Sequence, residues 1–371
     1  MTPAELLEQL VAIDSVNPDV VPGGAGEGEI ARFVASWLEQ AGLQVDVHEV
    51  APGRPNVTAV APGTGGGRSL LLNAHMDTVG VAGMDRPHDP HVEGGRLYGR
   101  GAYDMKGGLA AIMHVGAAAV AGRLAGDVIV AAVVDEEYAS VGTERLVERT
   151  RADAAVVTEP TELRLCLAHK GFVALELETI GRAAHGSRPD LGIDAIAKMG
   201  RVLVGLEELD RTLRAGARHV LLGTGSLHAS MIEGGQEFSS YPARCLLSAE
   251  RRTVPGETPK LVEAQIQEVV DRAAEHDGDL HATVRRAFSR EPLEMRRDEP
   301  IAEALRRHGG DPEVIGEPYW TDAALLAGAG IPTVVFGPGG EGAHAVVEWA
   351  DLDQIERCAE ILLATARDFC G

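Results

Sequence analysis

The spacing of apolar residues predicts helices and strands that alternate in the first and last parts of the chain. Between Glu27 and Ala41, apolar side chains recur at helical spacing, and Gly42 ends this predicted helix. SLLLNA, DVIVAAVVD and ADAAVVTE are instead continuous apolar runs, which are typical of strands buried on both faces. Further helices are predicted over 3–13, 106–119, 143–150, 300–308, 322–329 and 351–369. Strands of this kind that alternate with helices indicate a largely parallel sheet covered on both sides.

The pattern changes from about Phe172 onward. VALELETIG alternates with period two, as a strand with one solvated face should. It is followed by a helix over 194–209, two strands that flank a turn at Gly234 and Gly235, a helix over 259–276, and the strand HATVRRAF. This order is typical of an α+β domain with an antiparallel sheet. We therefore expect an α/β domain of residues 1–172 and 289–371, interrupted by a smaller domain of residues 173–288.

Length and charge narrow the class of protein. A chain of 371 residues favours two domains. The formal net charge of -22 argues against nucleic acid as a partner, because phosphate binding needs clustered Lys and Arg. No apolar run of membrane-spanning length and no secretory signal are expected, which favours a cytoplasmic protein. The four cysteines are scattered without a CxxC pair, so we expect buried thiols and neither disulfides nor a thiolate metal site.

Acidic and imidazole side chains stand at the ends of several apolar runs. They are His75 and Asp77 in SLLLNAHMD, Asp104 in GRGAYDMKGG, Glu136 and Glu137 in VVDEE, Glu159 in AAVVTEP, and His344 in GPGGEGAH. Such groups are costly at the mouth of a buried strand unless something there uses them. In open α/β sheets, ligands bind at the carboxyl ends of the strands. Because two histidines and several carboxylates suit a pair of divalent ions such as Zn²⁺, the sequence predicts a two-metal hydrolase.

Each of these residues has a structural alternative when it is taken alone. His75 could belong to an ordinary hydrogen-bond network, Asp104 could cap a helix, and the acidic run could be a solvated loop. In a two-metal site, Asp104 could bridge the cations and Asp77 could accept the second ring N–H of His75. One carboxylate of the adjacent pair Glu136 and Glu137 would then bind metal, and the other would take a proton from the attacking water. The joint pattern favours the metal site.

The motifs, in their order along the chain, resemble those of the di-zinc acylases and carboxypeptidases. That family includes acetylornithine deacetylase, succinyl-diaminopimelate desuccinylase, aminoacylase and glutamate carboxypeptidase. The resemblance rests on HMDTV, GRGAYDMKGG, DEE, EPT, GRAAHGSRPDLGIDAI and TDAALLAGAGIPTVVFGPG…AH, and it covers essentially the whole chain. It implies a catalytic domain of phosphorylase/hydrolase-like type with a mixed, mostly parallel sheet. It also implies an inserted ferredoxin-like α+β domain that acts as a lid and in dimerisation.

The resemblance assigns a role to each candidate residue of the first domain. The implied metal ligands are His75 and Glu159 for one ion, Glu137 and His344 for the other, and Asp104 as the bridge between them. Glu136 would be the general base and acid, and Asp77 would orient His75. The bond between Asp104 and Met105 would be a cis peptide. Zn²⁺ is the expected ion, although this ligand set also accepts Co²⁺ or Mn²⁺.

In the inserted domain the resemblance implies substrate contacts. His185 matches a histidine that reaches the active site of a partner subunit and stabilises the oxyanion, although it could instead cap its own turn. Arg252 matches an arginine that grips the substrate carboxylate, but Arg251 could be the one that faces the site, because neighbours on a strand point to opposite faces. Gly234 and Gly235 match the lid turn. Ser239 stands where many members have an asparagine that contacts the substrate.

The expected activity is removal of an N-acyl group from an N-acyl-L-amino acid by a zinc-dependent hydrolase, as in acetylornithine deacetylase. Glu159 favours this branch, because aminopeptidase-like members tend to have aspartate there. A carboxypeptidase, a dipeptidase or a succinyl-diaminopimelate desuccinylase-like enzyme with the same site is the alternative. A non-catalytic binding protein is the hypothesis of another class, but no implied ligand or base is missing. We expect a small N-acylated amino acid or peptide as substrate, a homodimer formed through the inserted domain, and no nucleic-acid or membrane partner.

Overall fold

The structure, a computed structural model, describes residues 1–371 and divides into two compact units. Unit 1 comprises Met1–Leu167, Met295–Ile315 and Thr321–Gly371, and unit 2 comprises Ala168–Glu294 and Gly316–Trp320. Both observed boundaries of the inserted segment lie a few residues outside the predicted ones. The short segment 316–320, which the sequence pattern placed in the first domain, belongs to unit 2.

The helices and strands follow in chain order. The helices are α1 (Pro3–Val11), α2 (Gly28–Gln40), α3 (Gly107–Gly122), α4 (Val141–Arg149), α5 (Ala195–Ala215), α6 (Pro259–Glu275), α7 (Pro300–His308), α8 (Ala323–Gly328) and α9 (Leu352–Cys370). The strands are β1 (Gln44–Ala51), β2 (Arg54–Ala61), β3 (Leu70–His75), β4 (His91–Glu93), β5 (Arg96–Tyr98), β6 (Val128–Val133), β7 (Ala154–Val157), β8 (Leu165–His169), β9 (Gly171–Ile180), β10 (Ser226–Gly234), β11 (Arg244–Thr253), β12 (His281–Arg290), β13 (Leu293–Glu294), β14 (Val314–Glu317), β15 (Thr333–Val335), β16 (Gly340–Glu341) and β17 (Trp349–Asp351). A π-helical turn, Ala102–Lys106, leads directly into α3.

The main sheet confirms the mixed α/β fold. Its strand order is β1-β2-β6-β3-β7-β15-β8-β13, and β14 pairs with β8. The central strands β6, β3, β7 and β15 are parallel to one another, whereas β2 pairs with β6, and β8 pairs with β15, in antiparallel fashion. Every residue of β3, β6 and β7 is buried, as their continuous apolar runs predict. The parallel strands β6, β3 and β7 at the centre of the sheet thus carry most of the candidate ligands at their carboxyl ends.

Several strands were not predicted from the pattern of hydrophobic positions, among them β8 and β14 of the main sheet. Strand β2 was not predicted, because Pro55 and Asn56 interrupt its apolar pattern. A small antiparallel sheet, in the order β16-β17-β5-β4, was also not predicted. Its strands have only two or three residues each, which is too short for a periodicity to appear.

Helix α3 is the core helix of unit 1. Contrary to expectation, the run Ala102–Gly122 is long and apolar enough to cross a membrane. However, 67% of its apolar stretch is buried inside the protein, as in the core helix of a globular domain. Its small residues permit close packing: a Cβ on Gly108 would lie 2.3 Å from the carbonyl oxygen of Thr158. The four cysteines are free and buried, as predicted.

Unit 2 contains the predicted antiparallel sheet. Its elements follow the order β9-α5-β10-β11-α6-β12, and the strands pair in the order β10-β11-β9-β12, which is a ferredoxin-like arrangement. Alternate residues of β9 are buried, and they pack with residues of α5 and α6 in one apolar core, which includes Val173, Leu175, Leu177, Val202 and Ile266. Strand β10 forms one edge of the sheet and is largely exposed. The lid and dimerisation roles of this unit remain predictions.

Candidate metal centre

Three parallel strands bring most of the candidate ligands to one edge of the main sheet. His75 is the last residue of β3, Glu137 follows β6, and Glu159 follows β7. Strands β6 and β7 both pair in parallel with β3, so the residues that follow them emerge at the same edge. This is the position that the apolar runs predict.

The five predicted ligands form two groups that share one carboxylate. The groups are His75, Asp104 and Glu159, and Asp104, Glu137 and His344. Within each group the candidate ligand atoms all lie within 4.8 Å of one another. Nε2 of His75 is 3.2 Å from Oδ1 of Asp104 and 3.6 Å from Oε1 of Glu159. Nε2 of His344 is 3.1 Å from Oε2 of Glu137 and 3.5 Å from Oδ2 of Asp104. Asp104 thus presents one oxygen to each group.

Three glutamates of this centre are buried close to one another, which disfavours their charged forms. Burial, reinforced by neighbouring carboxylates, raises the pKa of Glu137 above its usual value, and those of Glu136 and Glu159 well above it. Oε1 of Glu137 is buried and has no hydrogen-bond partner. Imidazole nitrogens and carboxylate oxygens are suitable ligands for divalent ions of the zinc type. The residues present therefore fit two divalent cations with Asp104 between them.

Neighbouring carboxylates raise the pKa values of both imidazoles. Hydrogen bonds with Asp104 and Glu137 raise the pKa of His344 to about 10. Burial opposes protonation of His75, but the carboxylates of Glu159 and Asp104 outweigh it and raise its pKa well above the usual value. Burial likewise opposes ionisation of Asp104, but its hydrogen bonds with the two histidines hold its pKa below the usual range. The pKa shifts of these groups therefore show that the site favours positive charge, which divalent cations would also supply.

Asp77 contacts His75 differently from the prediction. Nδ1 of His75 lies 2.9 Å from the backbone carbonyl oxygen of Asp77, but 3.7 Å from its carboxylate. The carboxylate is occupied elsewhere: it accepts hydrogen bonds from the side chain of Asn17 and from the backbone N–H groups of Glu136 and Glu137. The prediction that the Asp77 carboxylate accepts the ring N–H is therefore wrong, because the carbonyl oxygen is closer.

A buried polar network continues behind Asp77. Asn17 donates to Asp77 at 2.8 Å and to Asp135 at 3.0 Å, and Arg54 donates to Asp135 at 3.0 Å. Arg54 also forms two hydrogen bonds with Glu27, at 2.5 and 2.7 Å. All five side chains are buried. Asn17, Asp135, Arg54 and Glu27 were not predicted as part of the site. The pattern of hydrophobic positions does not mark them, because they meet only through tertiary contacts.

The turn that carries Asp104 has the predicted backbone. The peptide bond between Asp104 and Met105 is cis, which confirms the expectation. The bond lies within the π-helical turn Ala102–Lys106, where Asp104 and Met105 depart from helical φ and ψ angles.

Unit 2 carries the predicted substrate-contact residues. His185 is exposed, and its Nδ1 lies 2.8 Å from Oγ of Ser187 and accepts the backbone N–H of Ser187 at 3.2 Å. His185 therefore caps its own turn through Nδ1, which leaves Nε2 for another partner. The backbone carbonyl of Ser239 accepts the N–H of Gly186 at 2.7 Å, so Ser239 lies beside this turn. Gly235, which follows the last residue of β10, has a φ of 79°.

The neighbouring arginines of β11 lie in different environments. Arg251 is fully buried, and it donates to Glu257 and to the backbone carbonyl of Arg252. The side chain of Arg252 is 32% exposed, donates to Glu250 at 2.7 Å, and lies 5.3 Å from the ring of Phe172. Of the two, Arg252 is the one that a ligand can reach.

Comparison with known proteins identifies the family. The sequence profile of peptidase family M20/M25/M40 matches residues 71–368. The chain belongs to this family. Membership confirms the resemblance that the motifs indicate, and the matched range contains all seven acidic and imidazole residues of the candidate centre.

Two relatives of this M20 chain have different names. An acetylornithine deacetylase from Myxococcus xanthus is 30% identical over 98% of this chain and 97% of its own length. An N-formyl-4-amino-5-aminomethyl-2-methylpyrimidine deformylase from Bacillus subtilis is 28% identical over 99% of this chain and 95% of its own length. Both similarities extend over units 1 and 2.

Solved structures share the fold of this M20 chain. The aminopeptidase PepT from Bacillus cereus matches with a TM-score of 0.82 at 20% identity, over 100% of this chain and 98% of its own. A Bacillus subtilis protein, YXEP, described as a dinuclear metal-binding peptidase of the M20 family, matches with a TM-score of 0.76 at 16% identity, over 99% of this chain and 97% of its own. These likenesses show that the catalytic and inserted units have the fold of M20 enzymes.

Proposed function

We propose that this M20 enzyme removes the acyl group from an N-acyl-L-amino acid, as an acetylornithine deacetylase does. The observation that carries the proposal is the pair of ligand groups sharing Asp104, with Glu136 directly beside the ligand Glu137. Full-length similarity to a protein named acetylornithine deacetylase supports this substrate class. When bound, two divalent cations supply Lewis-acid polarisation of an amide carbonyl and lower the pKa of water towards neutrality.

Glu136 is the proposed proton carrier of the reaction. Burial and the nearby carboxylate of Glu159 raise its pKa well above that of a free glutamate, which is the direction that favours a group that both accepts and returns a proton. Glu136 takes a proton from the attacking water and delivers it to the departing amine. Its backbone N–H is held by Asp77, which restricts where the side chain can lie.

Zn²⁺ is the proposed ion. A set of two imidazoles and three carboxylates is typical of zinc hydrolases, and the same set accepts Co²⁺ or Mn²⁺. His75, Asp104 and Glu159 would hold one ion, and Asp104, Glu137 and His344 the other.

Unit 2 is proposed to recognise the rest of the substrate. The half-buried guanidinium of Arg252 is suited to a bidentate contact with the free carboxylate of an amino acid. Nε2 of His185 would donate to the oxyanion that forms on the scissile carbonyl. We assign the glycine turn at Gly234 and Gly235, together with Ser239, to the same substrate contacts.

A homodimer formed through unit 2 is also proposed. Strand β10 has an open edge in the sheet, and its side chains Met231 and Ile232 are 69% and 55% exposed. An exposed apolar edge strand is a ready surface for pairing with a second copy of the chain. In such a dimer, His185 would act in the active site of the partner subunit. A cytoplasmic location would suit the free, buried thiols.

Hydrolysis of peptides is the second candidate function. The same centre could attack a peptide carbonyl, and similar solved structures are described as an aminopeptidase and a peptidase. The two functions differ in the groups that flank the scissile amide.

A substrate panel with matched pairs separates these functions. Metal-free protein, and protein reconstituted with Zn²⁺ or Co²⁺, are assayed on N-acetyl, N-succinyl and N-formyl amino acids and on dipeptides. Each substrate is paired with its carboxamide, which lacks the free carboxylate. We expect the highest kcat/KM on an N-acyl-L-amino acid, a clear loss on its carboxamide, and no turnover without metal. Preference for dipeptides with a free amino group would favour the peptidase, and no amide hydrolysis on any substrate would refute both.

A further inference from the structure

A buried ion pair lies beside the metal centre without contributing a ligand. Nη1 of Arg100 donates to Oε2 of Glu348 at 2.5 Å, and the two side chains are only 4% and 1% exposed. Removing two opposite charges from water costs more than their attraction usually returns, so such a pair is weak evidence of a contribution to stability. A role in fixing geometry is the better-attested reason to retain one.

Glu348 holds the turn that presents the shared ligand. Its Oε1 accepts the backbone N–H groups of Tyr103 at 3.0 Å and of Asp104 at 3.1 Å. Its Oε2 accepts the N–H of Gly101 at 3.0 Å, in addition to the guanidinium of Arg100. Both oxygens of one carboxylate are thus saturated by donors, and three of the four donors belong to the turn around Asp104.

Arg100 connects the same carboxylate to the loop of the other histidine ligand. Its Nη2 donates to the backbone carbonyl of Ala345 at 3.0 Å, directly after His344. Its Nε donates to the carbonyl of Gly80 at 3.1 Å. His344 itself has a φ of 60°, in the left-handed region that non-glycine residues seldom adopt. Its position on the loop therefore depends on contacts such as that of Arg100.

The small sheet of unit 1 brings these two segments together. Strand β17 pairs with β5, with Trp349 opposite Tyr98. The N–H of Gly99 also donates to the carbonyl of Glu348 at 3.2 Å. The backbone register therefore places Glu348 beside Arg100, between the Asp104 turn and the His344 loop.

We infer that the ion pair of Glu348 and Arg100 is a positioning device that sets Asp104 and His344 at the separation required to share a cation. This inference rests on the proposed two-cation function. Neither residue is a catalytic residue, because neither touches the ligand atoms. Groups that orient metal ligands typically change metal affinity by about 10–100-fold when they are removed.

Two substitutions test the contacts of Glu348 with the Asp104 turn and those of Arg100 with the His344 loop separately. Glu348→Gln keeps the side-chain shape, but in either orientation its amide NH₂ faces N–H donors that the carboxylate accepted. Because Asp104 belongs to both ligand groups, this change should lower the affinity for both cations. Arg100→Lys keeps a positive charge beside Glu348, but a lysine lacks the second guanidinium nitrogen that donates to the carbonyl of Ala345. It should lower the affinity only for the cation that Asp104 and His344 would bind together.

The experiment is a calorimetric titration of metal-free protein with Co²⁺, together with the visible spectrum of bound Co²⁺. Glu341→Gln is the matched control, because Glu341 is an exposed carboxylate at the end of β16, shortly before His344. We expect two binding steps in the wild type and the control. We expect both affinities to fall at least about tenfold in Glu348→Gln, and one of them in Arg100→Lys, with altered spectra.

Other results would overturn the inference. It is wrong if folded Glu348→Gln and Arg100→Lys both bind two cations within about twofold of the wild-type affinities. If Glu348→Gln does not fold, as judged by circular dichroism, the Arg100→Lys titration decides on the same criterion. A wild type that binds two cations and hydrolyses N-acyl amino acids, beside unaffected variants, would refute this inference alone. A wild type that binds no Co²⁺ would refute the proposed function with it.

Discussion

The backbone N–H of Glu136 donates to Oδ1 of Asp77 at 3.1 Å. Oδ2 of the same carboxylate accepts the N–H of Glu137, also at 3.1 Å. One buried carboxylate therefore fixes the backbone of both the proposed base and a proposed metal ligand. Asp77 also presents its backbone carbonyl to His75, so it serves three residues of the centre.

Replacement of Asp77 by Asn tests this arrangement. The substitution preserves size but places an NH₂ group against at least one of the two backbone donors, which displaces the segment of Glu136 and Glu137. We expect kcat to fall about 10–100-fold, and metal affinity to fall as well. Steady-state kinetics and metal titration measure the two effects. Asp85→Asn serves as the control, because the side chain of Asp85 is 93% exposed; equal behaviour of both variants would contradict the role of Asp77.

Binding of the cations should release protons. In the metal-free protein the pKa values of Glu137 and Glu159 are raised by burial, and that of His344 is raised to about 10. These ligands must lose their protons to bind metal, so the apparent affinity should rise with pH through the neutral range, by about tenfold per pH unit for each proton released. Calorimetry in buffers of different ionisation enthalpy counts the protons. A pH-independent affinity would show that the ligands are already deprotonated.

Arg251 and Arg252 should give opposite phenotypes when each is replaced by Ala. Loss of the buried Arg251 leaves the carboxylate of Glu257 without its opposite charge and should lower the free energy of unfolding by about 3–5 kcal/mol. Loss of Arg252, which is only half-buried and pairs with the partly exposed Glu250, should change stability much less. It should raise KM for an N-acyl amino acid about 10–100-fold, since it removes a charge-assisted contact with the substrate carboxylate. Chemical denaturation and kinetics on both variants provide the measurement, and an unchanged KM in Arg252→Ala would remove it from the substrate site.

Mixing two inactive variants tests whether His185 acts across a dimer. A subunit with His185→Ala retains Glu136, and a subunit with Glu136→Gln retains His185. If the histidine acts in the partner's active site, each mixed dimer regains one working site, and random exchange should restore about a quarter of wild-type activity. If the histidine acts within its own subunit, the mixture stays inactive. Light scattering on the wild type establishes the dimer, and Ile232→Arg, on the exposed β10 edge, should shift it to monomer.

The sequence was sufficient to predict the elements that carry the ligands. Apolar runs such as SLLLNA and DVIVAAVVD are long, and their terminal acids and histidines contrast sharply with them, so the strand edge could be located by pattern alone. The α+β character of unit 2 was likewise predictable, because VALELETIG alternates with period two, whereas its ferredoxin-like arrangement was expected from the family resemblance alone.

The residues that support the ligands could not be predicted in the same way. Glu348 lies in VVEWA, directly before a strand of only three residues, and its partner Arg100 is far away in the chain. Asn17 and Arg54 reach the centre only through tertiary contacts that no periodicity records. The contact of His75 with the backbone carbonyl of Asp77 and not with its carboxylate rests on two distances, 2.9 and 3.7 Å, that differ by less than an ångström, so it could only be seen in three dimensions.

Glu136→Gln, compared with Glu137→Gln, tests the central claim most directly. The two glutamates are adjacent in sequence, and both are held by Asp77, but only Glu137 belongs to a ligand group. Both variants are assayed for hydrolysis of an N-acyl-L-amino acid and for bound metal per chain. The account predicts that Glu136→Gln loses turnover by at least about 100-fold but retains two cations, whereas Glu137→Gln loses turnover together with metal. Full activity of Glu136→Gln with two cations bound would contradict it.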